Sequence, residues 1–260
     1  MFGEKIGGEK EKVKILVVGL AMTAMMMMAI STTSAVVDYK IDGNLSEWGV
    51  IPFVDWVPDS ETAAYITEDY NGTNPSERPL GGEAYDIEAM YFDSNGTDAF
   101  FAVVTSFRYT GDLGIDLNND GVCEYGIVTR PLWPNYGTVY KDPIWSKPTH
   151  PGEASGIIKD GTVVGIAELK QVQIDSDPGW KPNIPNHIIE ISVKRSVLGN
   201  PTEGQLSKIL LTMWCGNDEI VLGLKWTEEI PEFSTIVIPI TATIGLFYFF
   251  RSKRRKSENN

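Results

Sequence analysis

The stretch from Asp116 to Glu124 carries the clearest sequence signal for chemistry. Asp116, Asn118 and Asp120 place carboxylate and amide oxygens at alternate positions, and a glycine follows them. Alternation lets a tight turn aim several oxygen ligands at one hard cation, and the glycine permits the sharp bend. We therefore predict a structural calcium site, with the carbonyl of Val122 and the carboxylate of Glu124 as further ligands.

The same stretch departs from a complete EF-hand loop. Its twelfth position is Ile127, where that loop has a bidentate glutamate, and no helical pattern flanks it. An EF-hand is therefore excluded, while a calcium-stabilised hairpin is compatible with the sequence. The alternative is an acidic β-turn without a metal, because Asp and Asn are common turn residues.

Aromatic residues and prolines are interleaved between residues 133 and 150. The aromatic members are Trp133, Tyr136, Tyr140 and Trp145, and the prolines restrict the backbone between them. Aromatic rings on a rigid loop can stack on the apolar faces of sugar rings, so we predict a glycan-binding surface. The alternative is that these side chains fill the core or cover a sheet edge, as large aromatic residues usually do.

Motifs for catalysis are scarce. The two histidines, His150 and His187, lack the spacing of metal ligands, and the chain has no phosphate-binding loop, nucleophile elbow or dinucleotide fingerprint. We therefore expect a protein that is not an enzyme. A secreted hydrolase that acts on glycans through paired carboxylates is the alternative.

Two cysteines and three sequons bear on the compartment. In an oxidising exterior an isolated pair is more often bridged than free, so we predict a disulfide between Cys123 and Cys215. The triplets that begin at Asn44, Asn71 and Asn95 predict glycosylation where they lie on exposed turns. Two of these triplets contain Asn-Gly, which is equally a turn signal.

Short strands between turn signals must position these residues. The predicted strands are apolar or alternating runs, and they cover residues 84–91, 99–104, 113–117, 122–128, 156–158, 162–174, 187–193, 208–215 and 220–224. Turn signals at 95–96, 118–121 and 160–161 each separate two neighbouring runs, which predicts three β-hairpins. Because helical periodicity is scarce, the fold class is all-β, an antiparallel β-sandwich.

The stretch from Tyr39 to Trp48 narrows the fold. Its apolar residue, Asp-Gly turn, Leu45 and Trp48 resemble the opening strand of family-nine-like carbohydrate-binding and DOMON-like β-sandwiches. The resemblance implies that Leu45 and Trp48 fold back onto the core. We expect Trp48, Trp56, Trp214 and Trp226 to be core residues.

DOMON-like relatives sometimes bind haem through methionine and histidine. This resemblance implies a further alternative, a haem-bearing electron carrier at the cell surface. Its ligands would be Met90 or Met213 together with His150 or His187.

Acidic residues dominate the chain between its two ends. Residues 36–233 hold 31 acidic and 13 basic residues, a net charge of −18, whereas the whole chain has a formal net charge of −13. Such a surface repels nucleic-acid phosphates, so we expect no nucleic acid among the partners. The acidity suits a saline medium, cation binding or colloidal stability.

The N-terminal end has the pattern of a secretory signal. Four lysines precede an apolar run from Ile15 to Ile30, and small polar residues follow as far as Ala35. We predict a signal helix with cleavage after about Ala35, so that residues 1–35 are a signal peptide. The alternative is an uncleaved anchor, although the run is shorter than the ~20 residues that span a bilayer.

Residues 230–256 have a three-part layout. It consists of Pro231, Glu232 and Phe233, an apolar membrane helix at 234–250 and a basic tail at 251–256. The layout resembles the PEF-CTERM sorting segment of archaeal surface proteins. The resemblance implies an archaeosortase-like processing enzyme, removal of the helix and attachment to a lipid or surface glycan. A plain C-terminal transmembrane anchor is the alternative.

Either reading puts residues 36–229 outside the cell and the basic tail in the cytoplasm before processing. Two stretches of this exterior domain, 81–89 and 214–218, resemble segments of surface proteins that bear such sorting tails. The sequence therefore predicts an exported, membrane-anchored envelope protein without catalytic activity. Its expected partner is a glycan or another surface polymer.

Overall fold

The computed structural model is built from two antiparallel β-sheets, as the strand-rich sequence predicts. The structure describes residues 38–59, 62, 64–68, 79–146, 156–176 and 184–227. All of them belong to one unit of the chain, Val36–Glu229. The predicted signal peptide and the predicted sorting segment with its membrane helix lie outside the described residues.

The strands are numbered in chain order. The first sheet consists, in spatial order, of β1 (Ala64–Thr67), β2 (Ile87–Ser94), β3 (Asp98–Thr105), β9 (Pro185–Lys194) and β8 (Glu168–Ser176). The second sheet consists of β11 (Glu219–Lys225), β10 (Leu206–Thr212), β4 (Leu113–Asp116), β5 (Tyr125–Ile127), β6 (Thr138–Ser146) and β7 (Ile157–Ile166).

Helix is confined to short pieces in the described part of the chain. Two 3₁₀ helices, Leu45–Trp48 and Glu83–Tyr85, precede β1 and β2 respectively. Among the residues that the structure describes, no helix has both the length and the apolar character needed to cross a membrane.

Alternate residues of the two sheets form the core between them. Phe101 and Val103 of β3 point inwards, and they share one apolar cluster with Ile189 of β9, Ile115 of β4 and Ile209 of β10. Each fully buried side chain of this size contributes about 1.5–3 kcal/mol relative to an exposed one. The cluster therefore holds the two sheets together.

The central strands of the first sheet are also buried on their outer face. Residues 38–57, which we call the strap, lie over this face, and Leu45 and Trp48 are buried there with Tyr91 and Ile188 in a second apolar cluster. The predicted return of Leu45 and Trp48 onto the core is confirmed. The predicted opening strand is wrong, because this part of the strap forms a bend and a 3₁₀ helix instead.

A buried carboxylate fixes the strap to the sheet. Glu190 of β9 accepts hydrogen bonds from the backbone N–H groups of Asp42 (3.0 Å) and Gly43 (2.7 Å) and from Nε1 of Trp48 (3.0 Å). Burial raises the pKa of Glu190, while these donors act in the opposite direction. Gly43 has a φ of 85°, and a side chain there would collide with Val172.

Two of the three predicted hairpins are confirmed. The strands β2 and β3 pair around residues 95–97, and β4 pairs with β5 around the acidic loop. The third is wrong, because β7 continues through Asp160 and Gly161 and pairs with β6. Gly161 has a φ of 147° and lies against the backbone of Asp142 and Pro143, so it forms an irregularity in the ladder rather than a turn.

The predicted loop over residues 133–150 is wrong where β6 forms. Residues 138–146 form a nine-residue strand despite Pro143. The register with β7 shifts between Lys141 and Ile144, so the ladder is already interrupted where the proline lacks an N–H group.

The predicted disulfide is also wrong. Both cysteines lie in the described part of the chain, and no disulfide joins Cys123 to Cys215. Tyr125 of β5 pairs with Ile115 of β4, which pairs in turn with Ile209 of β10, and Cys123 lies two residues before Tyr125. Cys215 lies past the other end of β10, at least four residues and roughly 13 Å further along. A disulfide requires Cα atoms within about 7 Å.

Candidate functional site

The acidic loop, residues 116–124, joins β4 to β5. Carboxylate oxygens of Asp116, Asp120 and Glu124 lie within 4.8 Å of one another. Asp116 accepts hydrogen bonds from the N–H groups of Asp120 (3.1 Å) and Gly121 (2.9 Å), and Glu124 accepts one from that of Leu117 (2.7 Å). The loop backbone thus brings three of the five predicted calcium ligands to one place.

Asn118 and Val122, the other two predicted ligands, shape the loop. The Asn118 side-chain oxygen accepts from the N–H of Asp120 at 2.9 Å, and the N–H of Val122 donates to the Asp120 carboxylate at 2.9 Å. Asn119 and Gly121 adopt φ values of 60° and 91°. Both residue types tolerate this conformation, which explains the Asn-Asp-Gly composition of the turn.

The acidic loop concentrates negative charge. Asp116 is buried, Glu124 is half-buried and Asp120 is exposed, so one side of the cluster faces solvent. Burial, together with the charges of Asp116 and Glu124, raises the pKa of Cys123 to about 12. An all-oxygen set of acidic ligands with one open side has the chemistry that suits Ca²⁺.

A second candidate lies at the opposite end of β5, in residues 130–136, which we call the aromatic turn. Trp133 is 47% exposed, yet its ring lies on the guanidinium of Arg130, with 4.2 Å between Cζ and the ring centroid. Two backbone hydrogen bonds shape the turn, from Trp133 N–H to the Arg130 carbonyl and from Tyr136 N–H to the Trp133 carbonyl. The indole is therefore backed by a cation and open to solvent.

Arg130 is held by a buried carboxylate. Its Nε and Nη2 donate to the two carboxylate oxygens of Asp112 at 2.9 and 3.0 Å. Asp112 also accepts hydrogen bonds from the N–H groups of Thr129 (3.2 Å) and Ile158 (2.8 Å). Because a bidentate pair fixes the plane of the guanidinium, the support beneath Trp133 is rigid.

The other three predicted sugar-stacking residues are more enclosed. Tyr136 and Tyr140 are half-buried, and burial raises the pKa of Tyr136 to about 12. Trp145 packs over Gly126, where an added Cβ would lie 2.9 Å from the indole. The alternative interpretation, that aromatic residues cover the sheet, therefore describes Trp145, whereas Trp133 keeps the exposure that a platform needs.

The two stretches that resemble parts of sorting-tail proteins meet in the structure. Leu80 N–H, just before the first stretch, donates to the Asn217 carbonyl at 2.8 Å, and Ile87 N–H donates to the Asp218 carboxylate at 2.7 Å. Burial is the main cause that raises the pKa of Asp218 to about 7, and the charge of Asp86 adds to it. Trp214, expected in the core, is 50% exposed, so that expectation is wrong.

The candidate haem ligands in the described part of the chain are buried within the fold. Met90 and Met213 are fully buried in the core between the sheets. His187 of β9 is buried, and burial lowers its pKa. His150 lies outside the described residues. Both methionines thus serve as packing residues.

Two of the three sequons lie in the described chain. Asn44 is exposed, and its side-chain oxygen accepts from the N–H of Ser46 at 2.9 Å. Asn95 is half-buried at the β2–β3 turn, and its side-chain oxygen accepts from N and Oγ1 of Thr97 at 2.9 and 3.0 Å. Asn71 lies outside the described residues. Glycosylation at these positions stays a prediction.

The sequence patterns did not predict a role for three charged residues that support the tryptophans, Arg130, Asp112 and Glu190. Each is a single charged residue without a motif, and each acts on a partner that the fold brings to it. The Arg130–Asp112 pair spans 18 positions of the chain and the Glu190–Trp48 pair spans 142. A charged residue within an apolar strand, as at Glu190, is the sequence signal that could have marked one of them.

Comparison with known proteins identifies the C-terminal segment. Residues 230–256 match the family model described as the PEF-CTERM archaeal protein sorting domain. This confirms the predicted sorting segment and indicates a protein that is exported and sorted to the cell surface. The comparisons with curated proteins and with solved structures find no match to the chain. The resemblance of the exterior domain to carbohydrate-binding and DOMON-like sandwiches therefore stays an expectation.

Proposed function

We propose that this surface protein is a non-catalytic module of an archaeal cell envelope that binds a glycan through Trp133. Calcium in the acidic loop would fix the β4–β5 connection, at the other end of the strand that leads to the aromatic turn. Sorting would involve an archaeosortase-like enzyme acting at Pro231, Glu232 and Phe233, followed by attachment to a lipid or surface glycan.

The observation that carries the proposal is the mounting of Trp133. A large apolar ring is left about half exposed, although the turn beneath it contains a buried, bidentate ion pair. Burying an ion pair has a desolvation cost, so such a pair is not explained by stability alone. An exposed ring on a fixed guanidinium suits stacking on a sugar, because a preorganised support loses little entropy on binding.

Trp133→Ala tests the platform, and Trp214→Ala is its matched control. Both tryptophans lie in the described part of the chain and are about half exposed, but of these two only Trp133 has a guanidinium stacked on its ring. On an array of glycans, the detergent-solubilised full chain and Trp214→Ala should bind the same sugars. Trp133→Ala should lose at least about tenfold in affinity, since stacking of one ring contributes on the order of 1–3 kcal/mol.

Equal binding by the two tryptophan variants would refute the platform. The same experiment separates a binding module from the hydrolase alternative, because a bound glycan should be recovered without cleavage. Release of shorter products that persists in a Trp133 variant would favour the hydrolase.

The close carboxylates of the acidic loop favour the calcium part of the proposal. At 100 times the dissociation constant, a ligand stabilises the native state by about 2.7 kcal/mol, which corresponds to a rise in Tm of several degrees. Millimolar calcium should produce this rise in the full chain. It should also do so in the control variant Asp160→Ala, which removes an exposed carboxylate of β7 outside the acidic loop. Asp120→Ala should abolish it. An unchanged Tm in the wild-type chain would leave the loop as an acidic turn.

A further inference from the structure

The ion pair beneath Trp133 leaves one polar group unused. Arg130 is 3% exposed, and its Nη1 is buried without a hydrogen-bond partner among the described residues. An unsatisfied buried donor costs roughly 1–3 kcal/mol, and such a group calls for an explanation. Nη1 belongs to the guanidinium on which the exposed indole lies, so the unused donor is next to the proposed glycan platform.

The charge of this donor is already balanced. Asp112 binds Nε and Nη2 of Arg130, and both side chains are buried. A second anion at Nη1 would therefore meet a neutral pair and the nearby carboxylate of Asp112, rather than a free cation. It would also approach an exterior domain with a net charge of −18 over residues 36–233. An uncharged oxygen acceptor satisfies Nη1 without this repulsion.

We propose that Arg130 is a specificity-determining residue that donates from Nη1 to an oxygen of an uncharged sugar stacked on Trp133. The site accordingly discriminates against uronic acids and other acidic sugars. This inference rests on the proposed function of Trp133 as a glycan platform, and it adds the class of sugar and the residue that selects it.

Access to Nη1 couples binding to the position of the indole. Nη1 has no contact with solvent in this structure, and the ring of Trp133 covers one face of the guanidinium. A sugar oxygen therefore reaches Nη1 when the indole shifts over Arg130. Binding should change the fluorescence of Trp133, and this change should be absent in Trp133→Phe.

The test uses the detergent-solubilised full chain and matched oligosaccharides that differ only in charge. Glucose and galactose oligomers are compared with glucuronic and galacturonic acid oligomers on one array, at fixed salt concentration. We expect the uncharged members to bind at least tenfold more tightly than their acidic counterparts. Arg130→Lys, which keeps a cation for Asp112 but removes Nη1, should lower the affinity for the uncharged sugars about tenfold.

The wild-type comparison stands even where Arg130→Lys fails to fold, because charge selection is measured without a substitution. Equal or stronger binding of the acidic oligomers, still dependent on Trp133, would overturn the inference and leave the proposed function intact. Unchanged affinity in a folded Arg130→Lys variant would remove the role of Arg130. Absence of any Trp133-dependent binding would overturn both the inference and the proposed function.

Discussion

Trp48 in the strap and Trp133 in the aromatic turn both rest on a buried charged side chain, and they differ in what that side chain does. Glu190 accepts a hydrogen bond from Trp48 itself, together with two from the strap backbone. Arg130 makes its charged hydrogen bonds with Asp112 and only stacks on Trp133. Trp48 is fully buried as a result, whereas Trp133 is about half exposed.

The difference separates a tryptophan used for stability from one available for binding. In the strap, hydrogen bonds to Glu190 and apolar packing of Trp48 both hold the chain against the outer face of the first sheet. In the aromatic turn, Nε and Nη2 of Arg130 are hydrogen-bonded beneath the ring and Nη1 is not, while about half of the indole surface of Trp133 stays exposed. Surplus exposed apolar surface on a rigid support is the usual mark of an interaction site.

Replacement of each tryptophan by alanine should give the largest contrast. Trp48→Ala removes a fully buried ring from the second apolar cluster and should lower the free energy of unfolding by about 3–5 kcal/mol. Trp133→Ala removes an exposed ring and should cost less than about 1 kcal/mol. Chemical denaturation of the full chain measures both values. Similar losses in the two variants would show that Trp133 is a structural residue.

The pH dependence of stability should depend on Asp218, a carboxylate that accepts a hydrogen bond from the backbone N–H of Ile87. Burial is the main cause that raises its pKa from 3.8 to about 7. A raised pKa means that ionisation is less favourable in the folded state. Its contribution is therefore full below pH 4 and is lost as the pH rises towards 7.

Asp218→Asn mimics the protonated side chain and keeps an acceptor for Ile87 N–H. The wild-type chain should lose roughly 2–4 kcal/mol relative to this variant between pH 4 and pH 8. Asp160→Asn, at an exposed acid, is the control and should follow the wild type. Parallel stability curves for the wild type and Asp218→Asn would mean that Asp218 ionises normally in the fold.

Glu190→Gln tests the polar half of the strap contact with a smaller expected effect. The amide can accept from Trp48 Nε1, but its NH₂ group then faces the N–H groups of Asp42 and Gly43. One or two unsatisfied donors should lower the free energy of unfolding by about 1–3 kcal/mol. Glu168→Gln, at an exposed position of β8, should change it by less than about 0.5 kcal/mol. Equal stability of the two variants would show that apolar packing alone holds the strap.

Local sequence patterns predicted the parts of both regions that depend on near neighbours. The Asp-Gly turn and the clustering of Asp116, Asp120 and Glu124 were foreseeable, because each depends on a few consecutive residues. The fold-back of Leu45 and Trp48 was implied by the family resemblance. The supports of the two tryptophans were not foreseeable. Glu190 meets Trp48 only because the strap packs over the first sheet, 142 positions away along the chain, and short-range patterns contain no information on that packing.

The same limit explains two errors about β6 and β7. Asp160 and Gly161 have the composition of a hairpin turn, yet β7 continues through them because β6 offers a longer ladder. Turn composition states what the backbone tolerates, and the tertiary partner decides whether a bulge or a turn forms. Trp145, on β6, then covers Gly126 instead of joining Trp133 in a sugar platform.

The cysteines should show the smallest effect, because packing and hydrogen bonds, rather than a disulfide, hold the strap and the aromatic turn. A reducing agent should leave the Tm of the exported full chain unchanged within about 1 °C. A disulfide that closes a loop of about 90 residues would contribute on the order of 4 kcal/mol, so its reduction would lower the Tm by roughly 10 °C. Alkylation after unfolding, without prior reduction, should label Cys123. A large Tm loss on reduction, with Cys123 unlabelled, would require the sheet register between Cys123 and Cys215 to be revised.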